Sequence, residues 1–418
     1  MRKFGLLLAL IVSFGLQAQK VTRFSSLDAF SEEFEKLISV PKEMNGVFKD
    51  SLVPNFLAAV DYEQEDLWLD YANQLLRKRL DDAQTWEPLL RTLIYVAENE
   101  EYDRFGTLIE HFFGFSKKNP SSRIRSYQNQ FYRNLVKHEF SEQGSLVWKA
   151  PASLWALQFI EGEPQFELEL VDVVGLKGGD STMIMGVNGV FYPRKGLLMA
   201  KGGTIIWSRA GQLEKEVYAE LGEWTLQVNQ SNFKADSVTL FASEFYDEPL
   251  QGVLEERISS VNVKDARFPK FTSYRNDYIL EDLYPEVHFK GGLGVAGAQF
   301  YGTASDSALA ALKFTYKSDT VLTLKGRSFL FKDSLLSSKR VEVIAHLGSD
   351  SIYHPYCEMR YDPRMGQVRV IRFETGLGLA SFTDSYHALD MSVDQLVWNQ
   401  GTPILNFKNL NLGSQQAA

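Results

Sequence analysis

The sequence is poor in cysteine and has no run of basic residues. Its 418 residues include one cysteine, Cys357, so no internal disulfide can form and stability must come from a buried core. The net charge is −9, with 53 acidic against 44 basic side chains. An acidic surface repels phosphate backbones, so the composition argues against nucleic-acid binding.

Long apolar runs are also missing after the N-terminal segment. A membrane-spanning helix needs about 20 apolar residues in succession, and no such stretch follows residue 18. Hydrophobic residues make up 44% and charged residues 23% of the chain, which is typical of globular proteins and excludes disordered, collagen-like and coiled-coil chains. We expect no membrane span once the N-terminal segment is removed.

Residues 1–18 have the pattern of a signal peptide. Arg2 and Lys3 precede an apolar run that ends at Leu16, and Ala18 offers the small residue at which cleavage occurs. Cleavage there removes two positive charges and lowers the net charge from −9 to −11. A buried first helix is the alternative. The pattern predicts an exported protein located in the periplasm, at the outer-membrane surface or outside the cell.

Between residues 25 and 140, apolar residues recur every three or four positions, as on the buried face of a helix. Ser26 precedes the first of these patterns and is suited to cap it. We predict a helical bundle at 25–140, built from five or six short helices in antiparallel hairpins. Trp68 and Trp86 are 18 positions apart, not 34, which argues against tetratricopeptide repeats.

After Gly144 the period changes to two, as in half-buried strands. Phe166, Leu168 and Leu170 alternate with polar residues, and frequent glycines separate the short apolar runs. No long helical pattern intervenes, which argues against a parallel sheet. The predicted fold class is therefore α+β with two domains, in which the helical bundle precedes an elongated all-β domain at 145–412, of β-solenoid or jellyroll type.

An Asp-Ser pair stands 13 positions before a proline in three places. The pairs begin at Asp180, Asp236 and Asp350, and a Lys-Gly-Gly segment marks a fourth position near Leu293. Asp-Ser favours a turn, and proline ends a strand because it cannot donate to the ladder. The spacing predicts a β unit of about 57 residues near 180, 236, 293 and 350, although chance explains the pattern equally well.

Motifs that resemble cofactor or catalytic sites lack their required context. Residues 292–297 match GxGxxG, but a strand follows them where a dinucleotide site needs a helix, so we predict a β turn and no cofactor. His354 and Cys357 differ by three positions and would point to opposite faces of a strand. We therefore expect no thiol nucleophile, and the spacing matches no zinc site.

Two further groups of residue types are compatible with catalysis. Ser385, His387 and Asp390 contain the types of a catalytic triad, but a triad is defined by geometry and we expect a turn with a surface histidine. Two acidic clusters, one at Asp384, Asp390 and Asp394 and one at Asp277, Glu281 and Asp282, offer paired carboxylates as in glycosidases.

Aromatic and histidine side chains are the remaining candidates for ligand contact. Trp207, Trp224 and Trp398 fall in or near strands and would stack on sugars if exposed, although core burial is the default for such residues. His354 and His387 complete this set. We assign no catalytic residue, no cofactor and no metal ligand.

The segment from Tyr353 to Arg372, followed by Asp384-Ser385-Tyr386-His387-Ala388-Leu389-Asp390, resembles parts of long exported proteins of Bacteroidota. The resemblance covers about the last 130 residues and implies neither an activity nor a catalytic residue. It implies that this chain is the N-terminal part of a longer product. The strand rhythm also resembles the β-jellyrolls of lipopolysaccharide transport, which implies an open trough for acyl chains.

The function expected from these observations is that of an exported, non-catalytic envelope or cell-surface scaffold. Its partner would be an envelope or surface macromolecule, either a protein or a glycan. A lipid or glycolipid carrier is the first alternative, since a β-trough would hold acyl chains. A secreted polysaccharide-active enzyme is the second, and it requires an exposed cleft with two carboxylates.

Overall fold

A computed structural model describes residues 21–99, 102–151, 155–213, 216–243, 246, 248–259, 266–332 and 334–409. The predicted signal peptide at 1–18 therefore lies outside the described residues. The chain divides into two compact units, of which the first ends at Lys137 and the second begins at His138.

The first unit is helical, as the spacing of its apolar residues predicts. Its α-helices are α1 (Leu27–Leu37), α2 (Asn45–Val47), α3 (Val53–Ala59), α4 (Glu65–Arg77), α5 (Ala83–Asn99), α6 (Tyr102–Lys118) and α7 (Ser121–Val136). A π-helical turn at Phe48–Leu52 joins α2 to α3, and short 3-10 turns lie at Lys42–Met44 and Tyr62–Gln64. The Ser26 hydroxyl accepts a hydrogen bond from the Ala29 amide, so it caps α1 as predicted.

The core of the helical unit is rich in aromatic side chains. Phe30, Phe56, Trp68 and Trp86 are fully buried, and the ring centroids of Phe56 and Trp68 are 4.5 Å apart. The rings of Trp68 and Trp86 meet edge to face at 6.0 Å, a favourable arrangement for aromatic pairs. These residues come from four different helices, so packing of their apolar faces holds the helices together.

The second unit is one antiparallel sheet. Its strands are β1 (Glu139–Gln143), β2 (Leu146–Lys149), β3 (Trp155–Ile160), β4 (Glu163–Lys177), β5 (Asp180–Tyr192), β6 (Leu197–Lys201), β7 (Thr204–Ile206), β8 (Tyr218–Glu220), β9 (Glu223–Gln227), β10 (Asn232–Phe241), β11 (Leu250–Arg257), β12 (Lys270–Ser273), β13 (Tyr278–Tyr284), β14 (Val287–Ala296), β15 (Gln299–Thr303), β16 (Ala310–Tyr316), β17 (Asp319–Gly326), β18 (Ser328–Phe331), β19 (Leu336–Leu347), β20 (Asp350–Asp362), β21 (Gln367–Arg372), β22 (Phe382–Asp384), β23 (Leu389–Met391), β24 (Gln395–Asn399) and β25 (Leu405–Lys408). The order of helices and strands gives an α+β protein with a β-rich second unit.

Long strands of the sheet pair with more than one shorter strand. The two ends of β14 pair with different short strands along one edge, β15 at Gly292–Ala296 and β16 at Val287–Lys290. Phe314 on β16 contacts Trp398 on β24, with ring centroids 5.9 Å apart, although these strands are not hydrogen-bonded neighbours. The sheet therefore folds over itself and buries one face against another.

Bulges interrupt the long strands. In β4, Leu168 pairs with Gly189 and Val171 pairs with Val187, so Glu169 and Leu170 occupy the space of one residue. Leu168 and Val171 are buried, whereas Leu170 is 71% exposed with a φ of +48°. The sequence pattern groups Leu170 with the buried Phe166 and Leu168. Its side chain instead faces solvent, because the bulge reverses the order of inward and outward residues.

The four predicted repeat positions do not share one place in the fold. Asp180 and Asp350 each begin a strand of 13 residues, β5 and β20. Asp236 lies in a bulge within β10, and Leu293 lies inside β14. The hairpins that contain Asp180 and Asp350 are closely alike, whereas the other two positions lie in different surroundings.

The similarity of these two hairpins extends to their pairing, with a constant offset of 170 positions. Val171 pairs with Val187 and Val173 with Ile184 in the first hairpin. Val341 pairs with Cys357 and Val343 with His354 in the second. Each hairpin therefore has the same bulge at the same place, which allows the two to be compared residue by residue.

No helix among the described residues has both the length and the apolarity needed to cross a membrane.

Candidate functional site

His354 and Cys357 are neighbours, contrary to the expectation from strand geometry. The Cys357 sulfur lies 3.1 Å from His354 Nδ1. Between these residues β20 advances three positions while β19 advances two, so β20 contains one extra residue. This bulge turns both side chains to the buried face, and the assumption of a regular strand was therefore wrong.

The hydrogen bonds of His354 fix its neutral form. Nε2 lies 2.8 Å from the Ala380 carbonyl oxygen, to which it must donate. Nδ1 then accepts from the Tyr356 amide and from the Cys357 thiol. Burial lowers the pKa of His354 and raises the pKa of Cys357 to about 12. A thiol with so high a pKa is a poor nucleophile, so the pair lacks the electrostatics of a catalytic dyad.

The first hairpin provides a comparison for this pair. Ile184 and Val187 occupy there the places of His354 and Cys357, and both are fully buried. Two apolar side chains therefore fill the same position in the same bulge. The bulge does not require a histidine or a cysteine, and the pair in β20 is a local feature of the second hairpin.

Ser385, His387 and Asp390 are not assembled as a triad. His387 Nδ1 lies 2.8 Å from Asp384 Oδ2, while the Ser385 hydroxyl donates to Asp350 and Asp390 accepts from Thr383. The hydrogen bond from His387 is the main reason that the pKa of Asp384 is lowered. Because each of the three residues has a different partner, this segment forms a hydrogen-bonded turn.

The three candidate tryptophans lie in the core. Trp207 and Trp398 are fully buried, and Trp224 is 4% exposed. Each indole N–H donates to a backbone carbonyl oxygen, at distances of 2.9 to 3.1 Å. Their faces are not accessible to a sugar, and their hydrogen bonds show that they join loops to the sheet.

The predicted acidic clusters do not form free carboxylate pairs. Asp277 pairs with Arg275 at 3.0 Å, and Glu281 lies 2.7 Å from His288. The side chain of Asp282 lies outside the described residues. In the other cluster, Asp384 and Asp390 are hydrogen-bonded as given above. Asp277, Glu281, Asp384 and Asp390 thus have local partners.

A buried carboxylate that the sequence analysis does not single out lies on β11. Glu256 is 1% exposed and accepts from Arg209 Nη2 at 2.6 Å, while Arg209 Nη1 lies 3.6 Å from Asp180. Burial raises the pKa of Glu256 to about 7, although Arg209 opposes this effect. The ion pair joins the start of β5 to the end of β11, which indicates a structural connection.

The outer face of the sheet has a groove of about 640 Å³ between β15, β18 and β19. Tyr301, Leu330 and Ser337 lie opposite one another in register on these three strands, so they share one face. The alternate residues, among them Phe300 and Phe331, are buried on the other face. The groove is therefore supported from below by the aromatic core.

The groove is positively charged. Among the described residues, its lining includes Arg327, Lys339 and Arg340 and contains no acidic residue. A bulge in β19 between Ser338 and Val341 turns both Lys339 and Arg340 to the exposed face. Within the described part of the chain, none of these three cations forms an ion pair.

The glycines of the GxGxxG segment explain the shape of this face. Residues 292–296 are in β14, and Gly297 makes the turn into β15 with a φ of +56°, so strand and turn replace the helix of a dinucleotide site. A Cβ on Gly294 would lie 2.5 Å from Tyr301 Cζ. The Tyr301 ring thus lies directly on the backbone of β14, in the space that a side chain would fill.

Comparison with protein-family models, with curated proteins and with solved structures finds no match to this chain. In the described ranges, no three histidine, cysteine, aspartate or glutamate residues are grouped closely enough to hold a metal ion. The basic groove is the feature that combines accessibility, charge and a fixed shape.

Proposed function

We propose that the protein is an exported, non-catalytic scaffold of the cell envelope or cell surface, which binds a macromolecule through the basic groove. The observation that carries this proposal is the set of three cations that form no ion pair with any described residue, in a chain of net charge −9. Unpaired positive charge on a rigid sheet face attracts an anionic partner and raises its association rate. The signal-peptide pattern supports export.

A carrier for lipid or glycolipid is the second candidate. Its support is the succession of antiparallel strands, in which β14 bridges two short strands, as expected for a jellyroll-like sheet repeated in units. The pair of hairpins 170 positions apart, close to three times 57, is in keeping with such units. A carrier needs an open apolar trough, whereas Phe289, Phe314 and Trp398 fill the space inside the sheet. We therefore favour the scaffold.

A polysaccharide-active enzyme receives less support. Glu256 and Asp180 flank one guanidinium, and a carboxyl group with a raised pKa is typical of a general acid. The Glu256 side chain is, however, fully buried and ion-paired, so a glycosidic oxygen has no access to it. A role in stability fits this carboxylate better than catalysis.

Native mass spectrometry of the protein, isolated gently from its own envelope, tests the scaffold. We expect a stoichiometric macromolecular partner that a denatured control lacks. The triple variant Arg327→Gln/Lys339→Gln/Arg340→Gln should lose this partner, whereas Lys36→Gln/Lys49→Gln/Lys118→Gln, with the same change of net charge in the helical unit, should keep it. Bound lipid would instead support the carrier, and a bare monomer would contradict both.

A further inference from the structure

We propose that the basic groove binds an anionic saccharide, that is, a sugar chain with carboxylate, sulfate or phosphate groups. The inference rests on the proposed function and names the partner of the same site. It depends on two features that lie side by side on the outer face of β15, β18 and β19: a row of cations and an aromatic ring that lies flat on the sheet.

The first feature selects the anion. Arg327 precedes β18, and Lys339 with Arg340 occupies the bulge of β19, so the cations line the groove from two strands. The Arg340 guanidinium lies 5.6 Å from the centroid of the Tyr356 ring, a contact that holds its position. A guanidinium forms two parallel hydrogen bonds with a carboxylate, sulfate or phosphate group, which makes arginine the side chain suited to such ligands.

The second feature selects the sugar. One face of the Tyr301 ring lies on Gly294, and its hydroxyl donates to the Phe271 carbonyl oxygen at 2.9 Å and contacts Thr272 at 3.0 Å. The ring is thus fixed at both its face and its tip, and it lines the groove with the side that remains. A rigid aromatic face stacks on the apolar face of a pyranose, because both are flat and lose little freedom on contact.

The polar side chains of the groove match the hydroxyls of a sugar. Gln299, Ser328 and Ser337 line it on the exposed face together with the cations. Hydroxyl and amide groups both donate and accept, which is the mixed pattern that vicinal hydroxyls require. The described residues of this lining include no acid that would repel the ligand.

The topology argues against an acidic peptide as the ligand. Peptides that bind sheets commonly add a strand to a free edge. Here β15 pairs with β14 and β18, β18 pairs with β15 and β19, and β19 pairs with β20. These strands therefore have hydrogen-bonded neighbours on both sides, and the groove offers no free sheet edge to a peptide.

Isothermal titration of the purified full chain with polymers of known chemistry tests the inference. The probes are polygalacturonate and dextran sulfate, with neutral dextran and polyglutamate for comparison. We expect binding of the two acidic polysaccharides that weakens with salt and falls about 100-fold in Arg327→Gln/Lys339→Gln/Arg340→Gln. Tyr301→Leu should weaken it about tenfold, since stacking is lost. The variant Lys36→Gln/Lys49→Gln/Lys118→Gln should bind as the native chain does.

Three results would overturn the inference. If neutral dextran bound as tightly as the acidic polysaccharides, the anionic groups would contribute nothing to recognition. Equal binding of polyglutamate, with no effect of Tyr301→Leu, would make the groove a site for acidic peptides. The third result is that neither acidic polysaccharide binds, while capture of the envelope partner still depends on the three cations. This result would refute the saccharide as the ligand and leave the proposed scaffold function intact. Capture that does not depend on these cations would refute the scaffold itself.

Discussion

The reactivity of Cys357 separates a structural His–Cys pair from a catalytic one. Its ordinary pKa of 9.0 rises to about 12 in the folded chain because the thiol is buried. At pH 8 the thiolate fraction is about 10% for the first value and about 0.01% for the second, a difference of about 1,000-fold before access is considered. Because Cys357 is the single cysteine of the chain, a thiol reagent reports on this position alone.

Ellman's reagent provides the assay. We expect the native chain at pH 8 to react at least about 1,000 times more slowly than the same chain unfolded in urea. His354→Ala should increase the native rate, because it opens a cavity beside the sulfur and removes the acceptor of the Tyr356 amide. His387→Ala, which changes an exposed histidine away from the thiol, should leave the rate unchanged.

The opposite sign would refute this reasoning. In a catalytic dyad the histidine promotes the thiolate, so its removal lowers the reactivity of the cysteine. A native rate within about tenfold of the unfolded one, together with a fall in His354→Ala, would mean that the pair is activated and accessible. The non-catalytic scaffold would then have to be abandoned in favour of an enzyme.

Three further predictions concern stability and the groove. Burial raises the pKa of Glu256 from 4.5 to about 7, so the folded chain holds this proton more tightly than the unfolded chain does. The unfolding free energy should therefore fall by up to about 3 kcal/mol as the pH rises from 4.5 to about 7, and Glu256→Gln should flatten this pH dependence in urea unfolding. Leu170→Asn should raise the unfolding free energy by about 0.5–1 kcal/mol, since asparagine tolerates a φ of +48°; an unchanged midpoint would contradict this. Gly294→Val places carbon 2.5 Å from Tyr301, so it should cost about 1–3 kcal/mol and weaken polygalacturonate binding about tenfold, as Tyr301→Leu does; undiminished binding would exclude Tyr301 as a platform.

The order of helices and strands follows from periodicity, whereas the bulges do not. Phe30 and Phe34 are buried on α1 as their spacing predicts, because a helix has a regular period of 3.6. Leu170, His354 and Cys357 lie next to bulges, where one extra residue reverses inward and outward positions. Side-chain direction therefore cannot be obtained there from alternation alone.

The groove has no local signal in the sequence. Its residues come from three segments, near Tyr301, Arg327 and Arg340, which separate hairpins place side by side. The pairing of β15 with β18, across the intervening β16 and β17, is a tertiary choice that no turn motif specifies. Gly294 is the exception, since it belongs to a motif noted in the sequence, although its role is to accommodate Tyr301 and not a cofactor.

The two similar hairpins distinguish what the fold requires from what this chain adds. Both bulges need two buried side chains of moderate size, which Ile184 and Val187 supply in the first hairpin. In the second, His354 fixes the Ala380 carbonyl group through Nε2, so it ties the segment after β21 to β20. Cys357 makes no other side-chain hydrogen bond in the described structure.

It follows that Cys357→Val, which copies the first hairpin, should change the unfolding free energy by less than about 1.5 kcal/mol. His354→Ile should cost more, up to about 6 kcal/mol, because two partly buried backbone groups lose their partner. Equal costs for the two variants in urea unfolding would show that the pair acts as a unit and that the comparison between the hairpins fails.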